Sequence, residues 1–369
     1  MTDPQTIPFE SESEVEAASE VEAASEAGAA SETASVSEAE LGRMVARLQE
    51  FGPAETWQEA GESARARWDA PYGPAERWEL RVEDTRAPGP HGPVPVRIYT
   101  PAAAAEGPRP VLVWCHGGAF MHGDLDMPEA DQVARGVAGR AGAVVVSVDY
   151  RLCDEPEALG GRKARRFPGT AEDLVVHAPI PLQDVLAAVC WTVAEADHLG
   201  IDPERLALGG ASAGGNLAAA ATLSLAHEGR APAASLLLYP VLHPLRLEPT
   251  AEEAAAVADL AAMLRFSLET TRSFTENYLG RPVSEAGIYD FPGLADTAQL
   301  AALPRTYLEA DEHDDLRISA RRFAEQLSEA GVEVEHVIRE GVAHGHLNRI
   351  GLPEAAQTMD RLAEILGEL

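Results

Sequence analysis

An α/β fold, with a mainly parallel sheet and helices on both faces, is what three features of this sequence predict. Short, continuously apolar runs such as Val111–Cys115 and Val144–Val148 have the form of strands buried on both sides. Amphipathic helical stripes alternate with those runs through the C-terminal three quarters of the chain, the rhythm of a parallel α/β sheet. A length of 369 residues with 46% hydrophobic and 24% charged side chains is enough to bury one large core.

Taken in order, the elements begin after an unusual tail. Residues 1–40 repeat a six-residue unit, SEVEAA at 13–18 and 19–24 and SEAGAA at 25–30, with almost no large apolar side chains. Such a segment cannot offset its ordering entropy and is read as disordered, with a transient Ala/Glu helix as the alternative. Leu41, Met44, Val45 and Leu48 then recur at helical spacing, and Trp57, Trp68 and Trp78 add bulky anchors, predicting helical, packed structure to about Arg81. The turn Pro88–Pro93 precedes alternating Val94, Val96 and Ile98, a strand. After the two apolar runs, a stripe from Leu182 to Leu199 predicts a helix ended by Gly200. Leu206–Leu208, Ser235–Tyr239 and Thr306–Glu309 are further strands, and Ala320, Phe323, Ala324 and Leu327 mark a helix. Strand Val332–Arg339 and helix Pro353–Leu366 complete the series. Two stretches break the rhythm. Residues 152–179 read as a long loop insertion carrying the basic run Arg162–Arg166, and residues 243–300 carry helical patterns at Ala251–Leu264 and Leu268–Leu279.

Charge narrows the function. With 29 basic and 60 acidic residues the net charge is −31, which excludes a general nucleic-acid binder because such a surface repels phosphates. Eleven of the acidic residues lie in the tail, leaving −20 on the other 329 positions. In so acidic a chain the Arg162–Arg166 run is either a partner for the tail or an ordinary solvated loop. Cys115, Cys153 and Cys190 are too few and too irregular for a disulfide framework or a zinc site, so a reducing, cytoplasmic setting without metal is expected. The start MTDPQTIPFE has neither a basic nor an apolar leader region, and no stretch approaches the roughly 18 apolar residues of a membrane span, so a soluble protein is expected.

Chemistry concentrates in a few positions. Gly210-Ala211-Ser212-Ala213-Gly214 fits G-x-S-x-G, the tight turn that exposes a nucleophilic serine. A strand precedes it and an alanine-rich helix to about His227 follows, the context the motif requires. His116-Gly117-Gly118-Ala119-Phe120 follows strand Val111–Cys115, and backbone N–H groups there, with that of Ala213, make an oxyanion hole. Phe120 and Met121 are candidates to line a substrate pocket or to serve as core. The serine needs a base oriented by a carboxylate. His344 follows the last strand on a loop, whereas His336 lies within that strand and His346 opens the next segment. For the acid, Asp311, Glu312, Asp314 and Asp315 compete in the loop after Thr306–Glu309.

Together His116-Gly117-Gly118, Asp149-Tyr150-Arg151-Leu152, Gly210 to Asn216, Asp314-Asp315-Leu316-Arg317 and His344-Gly345 resemble the bacterial hormone-sensitive-lipase-like branch of the α/β-hydrolase fold. The resemblance spans about residues 41–369. It implies Ser212 as nucleophile, His344 as base and Asp314 as acid, an oxyanion hole from Gly117, Gly118, Ala119 and Ala213, and no cofactor. It also implies a cap over the acyl pocket built from residues 41–81 and 243–300. The chain departs from the pattern at Ala119, where a third glycine is usual, at Ala211, at Asp315 in place of proline, and in the 152–179 insertion. The expected activity is hydrolysis of short to medium acyl esters through an acyl-enzyme, with a small-molecule ester as the only partner and a homodimer compatible with the sequence. Acyl transfer to a natural-product alcohol or amine, and ligand binding without turnover, are the two other readings.

Overall fold

A computed structural model describes residues 42–52, 59, 61–157 and 160–369. The 1–40 tail of the sequence reading lies outside the described residues. Eight strands form one sheet in the order β1-β2-β4-β3-β5-β6-β7-β8. They are β1 (Leu80–Ala87), β2 (Val94–Pro101), β3 (Arg109–Cys115), β4 (Val144–Val148), β5 (Ile201–Ala211), β6 (Ala234–Leu238), β7 (Arg305–His313) and β8 (Val334–Ala343). β1 and β2 run antiparallel to their neighbours, and from β4 to β8 every pairing is parallel.

Alternation along each strand divides the core in two. Val111, Val113 and Cys115 join Val144, Val146, Leu206 and Leu208 on one face, beneath helices Ile180–Ala194, Ala213–His227 and Arg317–Glu329. Leu112 and Trp114 join Val145, Ala207 and Leu236 on the other, beneath helices Arg43–Gln49, Pro128–Ala141 and Pro353–Glu368. Both faces are covered, which is why these strands read as unbroken apolar runs.

Several parts of the sequence reading are corrected. The helical pattern to about Arg81 resolves into short helices Arg43–Gln49 and Glu62–Asp69, after which the chain is extended and enters β1; residues 41, 53–58 and 60 of that segment lie outside the described residues. β1 escaped detection because its sequence, LRVEDTRA, buries only Ala87 and is held by backbone pairing with β2. Helix Pro128–Ala141 was also not foreseen, since Gly136 and Gly139 weaken its propensity. Those glycines are space-makers: a Cβ at Gly136 would collide with Met359 and one at Gly139 with the Trp78 ring. Finally, Ala251–Leu264 is helical only over Ala251–Ala256, where Thr250 and Glu253 form a capping box, and again in one 3₁₀ turn at Ala262–Leu264. The stripe ended by Gly200 is likewise two helices, Ile180–Ala194 and Ala196–Leu199, with Gly200 in the left-handed conformation at the end.

The insertion after β4 is tied down by charge. Arg165 meets both oxygens of buried Asp149 at 2.6 Å, Arg166 donates to the Leu174 carbonyl at 2.9 Å, and Lys163 lies 3.3 Å from Asp154. The basic run is therefore engaged within the folded chain. At its start, Arg151 and Asp184 form an ion pair whose side chains are 3% and 0% exposed. The Arg151 backbone N–H also donates to Asp184 at 2.9 Å.

Removing one partner of such a pair strands a buried charge, so Arg151→Met should destabilise the fold by about 3–5 kcal/mol. The double variant Arg151→Met/Asp184→Leu should recover most of that loss in denaturant unfolding. Equal destabilisation by the single and double variants would refute the pairing argument.

Candidate active site

Strand order reverses around β3, whose two neighbours are β4 and β5, so a crevice opens at the carboxyl ends of β3 and β5. The Ser212 turn and the His116–Phe120 loop both emerge there. Ser212 sits between β5 and helix Ala213–His227 with φ 53° and ψ −118°, a conformation rare for a side-chain-bearing residue. Its N–H donates to the Leu238 carbonyl at 2.9 Å, and its own carbonyl accepts from Asn216 at 3.0 Å, which fixes the turn to β6 and to the helix. Glycines allow the close passage: a Cβ at Gly214 would run into the backbone of Cys115 and His116, and one at Gly210 into the backbone of Gly214 and Cys115.

His344 Nε2 lies 3.0 Å from Ser212 Oγ, and His344 Nδ1 lies 2.7 Å from Asp314 Oδ2. The other Asp314 oxygen accepts the Leu316 N–H at 2.9 Å. Each competing acid is occupied elsewhere. Asp311 contacts His346 Nδ1 at 2.8 Å, Glu312 accepts the Gly341 N–H at 2.8 Å, and Asp315 accepts Arg265 and the Phe266 N–H at 2.8 Å. Burial disfavours the charged form of His344, yet the carboxylates of Asp314, Asp311 and Glu129 outweigh it and hold the imidazole above its ordinary value of 6.5. The Phe266 ring stands edge-on to His344 at 4.8 Å.

The loop after β3 is strained as well, with φ of 114° at Gly118, 52° at Ala119 and 63° at Phe120. Among the described residues, the Gly118 and Ala119 N–H groups meet no protein acceptor, and Ala213, as the first residue of its helix, has none within the helix. Gly117 is a correction to the sequence reading, because its N–H donates to the buried carboxylate of Glu129. Phe120 lines a cavity of about 30 Å³ at Ser212, together with Phe266, Phe274, Thr275, Phe291 and Leu316. Met121 does not line it and is packed in the core at 2% exposure. Outside the loops that carry Phe120, Ser212 and Asp314, the lining comes from Val241 and from residues 266–291, and none of the described residues of 42–81 contributes to it. Composition gave no signal for Phe266, Glu129 or Tyr239, which reach the site only through tertiary packing.

Two other features of the molecule have the outward form of sites. Glu309, Asp311 and His346 offer ligand atoms within 4.8 Å of one another. They are held from within the protein, with Arg339 on Glu309 at 2.5 Å and Thr358 on His346 at 3.0 Å, which makes the group a buried charge network. A larger cleft of about 720 Å³, lined by Asp84, Arg97, Asp126, Asp149 and Arg165 among others, contains none of Ser212, His344 and Asp314.

The model of the α/β-hydrolase fold family matches residues 112–159 and 176–348. The chain is an α/β hydrolase. Its branch is the hormone-sensitive-lipase-like one that the motifs resemble. The gap in the match, 160–175, falls inside the 152–179 insertion. This hydrolase is similar to esterase LipI of Mycobacterium tuberculosis, with 33% identity over 281 residues, 75% of this chain and 78% of that protein. It is also similar to arylacetamide deacetylase of Bos taurus, 28% identical over 331 residues, 74% of this chain and 78% of that protein. Among solved structures, a hyperthermophilic esterase from the archaeon Pyrobaculum calidifontis matches 78% of this hydrolase and 85% of its own chain at 30% identity and a TM-score of 0.64. A thermostable carboxylesterase cloned from a metagenomic library matches 80% and 91% at 28% identity and a TM-score of 0.66. Among the described residues no helix is long and apolar enough to cross a membrane.

The crossing glycine gives a direct check. Gly214→Ala should destabilise the hydrolase by at least about 1–3 kcal/mol, because the methyl meets backbone that cannot yield. Gly367→Ala, where a Cβ meets nothing within 4 Å, should be neutral or stabilising by up to about 1 kcal/mol in thermal unfolding.

Proposed function

We propose that this hydrolase cleaves carboxylic esters through a Ser212–His344–Asp314 triad and an acyl-enzyme. The observation that carries the reading is the continuous relay from Asp314 through His344 to Ser212, at 2.7 and 3.0 Å, beside backbone N–H groups without acceptors. The relatives' names, esterase, carboxylesterase and deacetylase, agree with it.

In this mechanism His344 Nε2 removes the Ser212 proton as Oγ attacks the ester carbonyl. Asp314 stabilises the imidazolium that forms and keeps the ring in the tautomer that leaves Nε2 free. The oxyanion is held by the N–H groups of Gly118, Ala119 and Ala213, which are fixed before the reaction begins. His344 then returns the proton to the departing alcohol, and water repeats the sequence on the acyl-enzyme to release the acid. The small aromatic cavity against Ser212 supports an acyl group at the short end of the range, and residues 243–300, which supply half of its lining residues, act as the cap.

A panel of chromogenic short- and medium-chain esters tests the reaction. Ser212→Ala should lose activity by about 10³-fold or more, and equal turnover by both proteins would sink the assignment. The pH dependence follows from His344. Only its neutral form acts as base, so kcat/KM should be full at high pH and fall as pH drops through a midpoint above 6.5. Asp314→Asn removes the charge that favours the imidazolium and should move that midpoint downward while lowering kcat by up to about 10⁴-fold.

A further inference from the structure

Glu129 is a fully buried carboxylate, 1% exposed, that the proposed mechanism does not use. It is the second residue of helix Pro128–Ala141, and its two oxygens join three separate segments. Oε2 accepts the Gly117 N–H at the end of β3. Oε1 accepts the Tyr239 hydroxyl at 2.6 Å from the end of β6, and the Asn348 side-chain amide at 3.2 Å from the turn after β8. The same residue is anchored through its backbone. Its N–H donates to Asn348 Oδ1 at 3.3 Å, and its carbonyl accepts the Trp114 indole N–H at 2.8 Å.

Two of these partners pack directly on the reacting groups, and the third braces the turn that follows His344. Gly117 packs so closely on the nucleophile turn that a Cβ there would lie 3.1 Å from the Ser212 Cβ. The Tyr239 ring meets His344 edge-on at 5.1 Å, on a backbone with φ 37°. Asn348 closes the turn that begins at Gly345, the residue after His344, by donating its N–H to the Gly345 carbonyl at 2.9 Å. Burying a carboxylate is costly unless its acceptor sites are filled. Here they are filled by one donor from each loop that must be held in mutual register.

We propose that Glu129 is a positioning residue for the reaction, a single carboxylate that locks the oxyanion loop, through Gly117, to the loops that aim His344 at Ser212, through Tyr239 and Asn348. The inference rests on the triad assigned above. It adds a second consequence, since the Glu129 charge is among those that favour the imidazolium of His344. The titratable groups facing Glu129 are Tyr239, Tyr150 and His344, and those acting on His344 are Asp314, Asp311 and Glu129 itself.

The test uses the full chain, with two readouts: turnover of a short chromogenic ester, and the rate at which a fluorophosphonate labels Ser212 across the pH range. Glu129→Gln keeps the shape and removes the charge. It should lower kcat about 10- to 100-fold with KM within about threefold, the cost of a small misplacement at the reacting centre. It should also move the acid limb of labelling to lower pH, a shift that a merely structural role would not produce. Tyr239→Phe keeps the ring and the Glu129 charge but removes one donor, and should slow labelling about three- to tenfold with the acid limb in place. Because both act through one bond, the double variant should lose less than the product of the two. Wild-type rates per folded molecule in Tyr239→Phe, or an unmoved acid limb in a folded Glu129→Gln, would overturn the proposal. Should wild type label at Ser212 yet cleave no ester, the ester reading fails, and the labelling profiles still decide the role of Glu129.

Discussion

The passage of the Ser212 turn beneath the end of β3 is the constraint on which the rest of the site depends. Two strands that pair in parallel must bring a sharp turn from one against the backbone of the other, with no room for a methyl group at Gly210 or Gly214. The serine is then forced into a positive-φ conformation that lifts Oγ into the crevice. That strain is sustained because β6 bonds the Ser212 N–H and the following helix bonds its carbonyl. The strained β3 loop, His344 after β8 and Asp314 after β7 are all referred to this fixed point.

Charge is arranged around that point with the same economy. The four acidic residues in the six positions after Glu309 are Asp311, Glu312, Asp314 and Asp315, and each has its own partner from a different direction. Two imidazoles sit side by side against Tyr239, yet they have unlike surroundings. His346 is enclosed between Asp311 and Thr358 with its side chain fully buried, while His344 keeps 21% of its side chain exposed. Burial alone would leave His344 neutral at lower pH, and the nearby carboxylates push it the other way.

Much of this was legible in the sequence, for definite physical reasons. Strands buried on both faces are predominantly apolar, so β3, β4 and β6 announced themselves. Ser212 and His344 stood out because a tight strand-to-helix turn needs glycines at fixed offsets and because strand ends fix where a loop histidine falls, whereas spacing left Asp314 among its acidic neighbours and only the family resemblance singled it out. β1 was not legible, since an edge strand is stabilised by backbone pairing and imposes no pattern on side chains that face water. Glu129 and Phe266 were hidden for another reason. Each meets its partners across long stretches of sequence, 110 residues in the case of Glu129 and Tyr239, and no local period records such contacts. Gly117 shows the limit of motif reasoning, because its place in the loop gave no hint that a carboxylate already claims its N–H.

The charged edge at β1 has a consequence beyond this hydrolase's chemistry. A strand at the rim of a sheet presents unpaired N–H and C=O groups that invite another chain to add on, the route to aggregation. β1 carries Arg81, Glu83, Asp84 and Arg86 along its length, and Arg97 of β2 clasps Asp84 at 2.6 Å beside it. An incoming strand would have to strip water from those charges before gaining any backbone bond. The same absence of apolar pattern that concealed β1 from the sequence therefore protects the protein at high concentration, by making one rim of its sheet a poor template for growth.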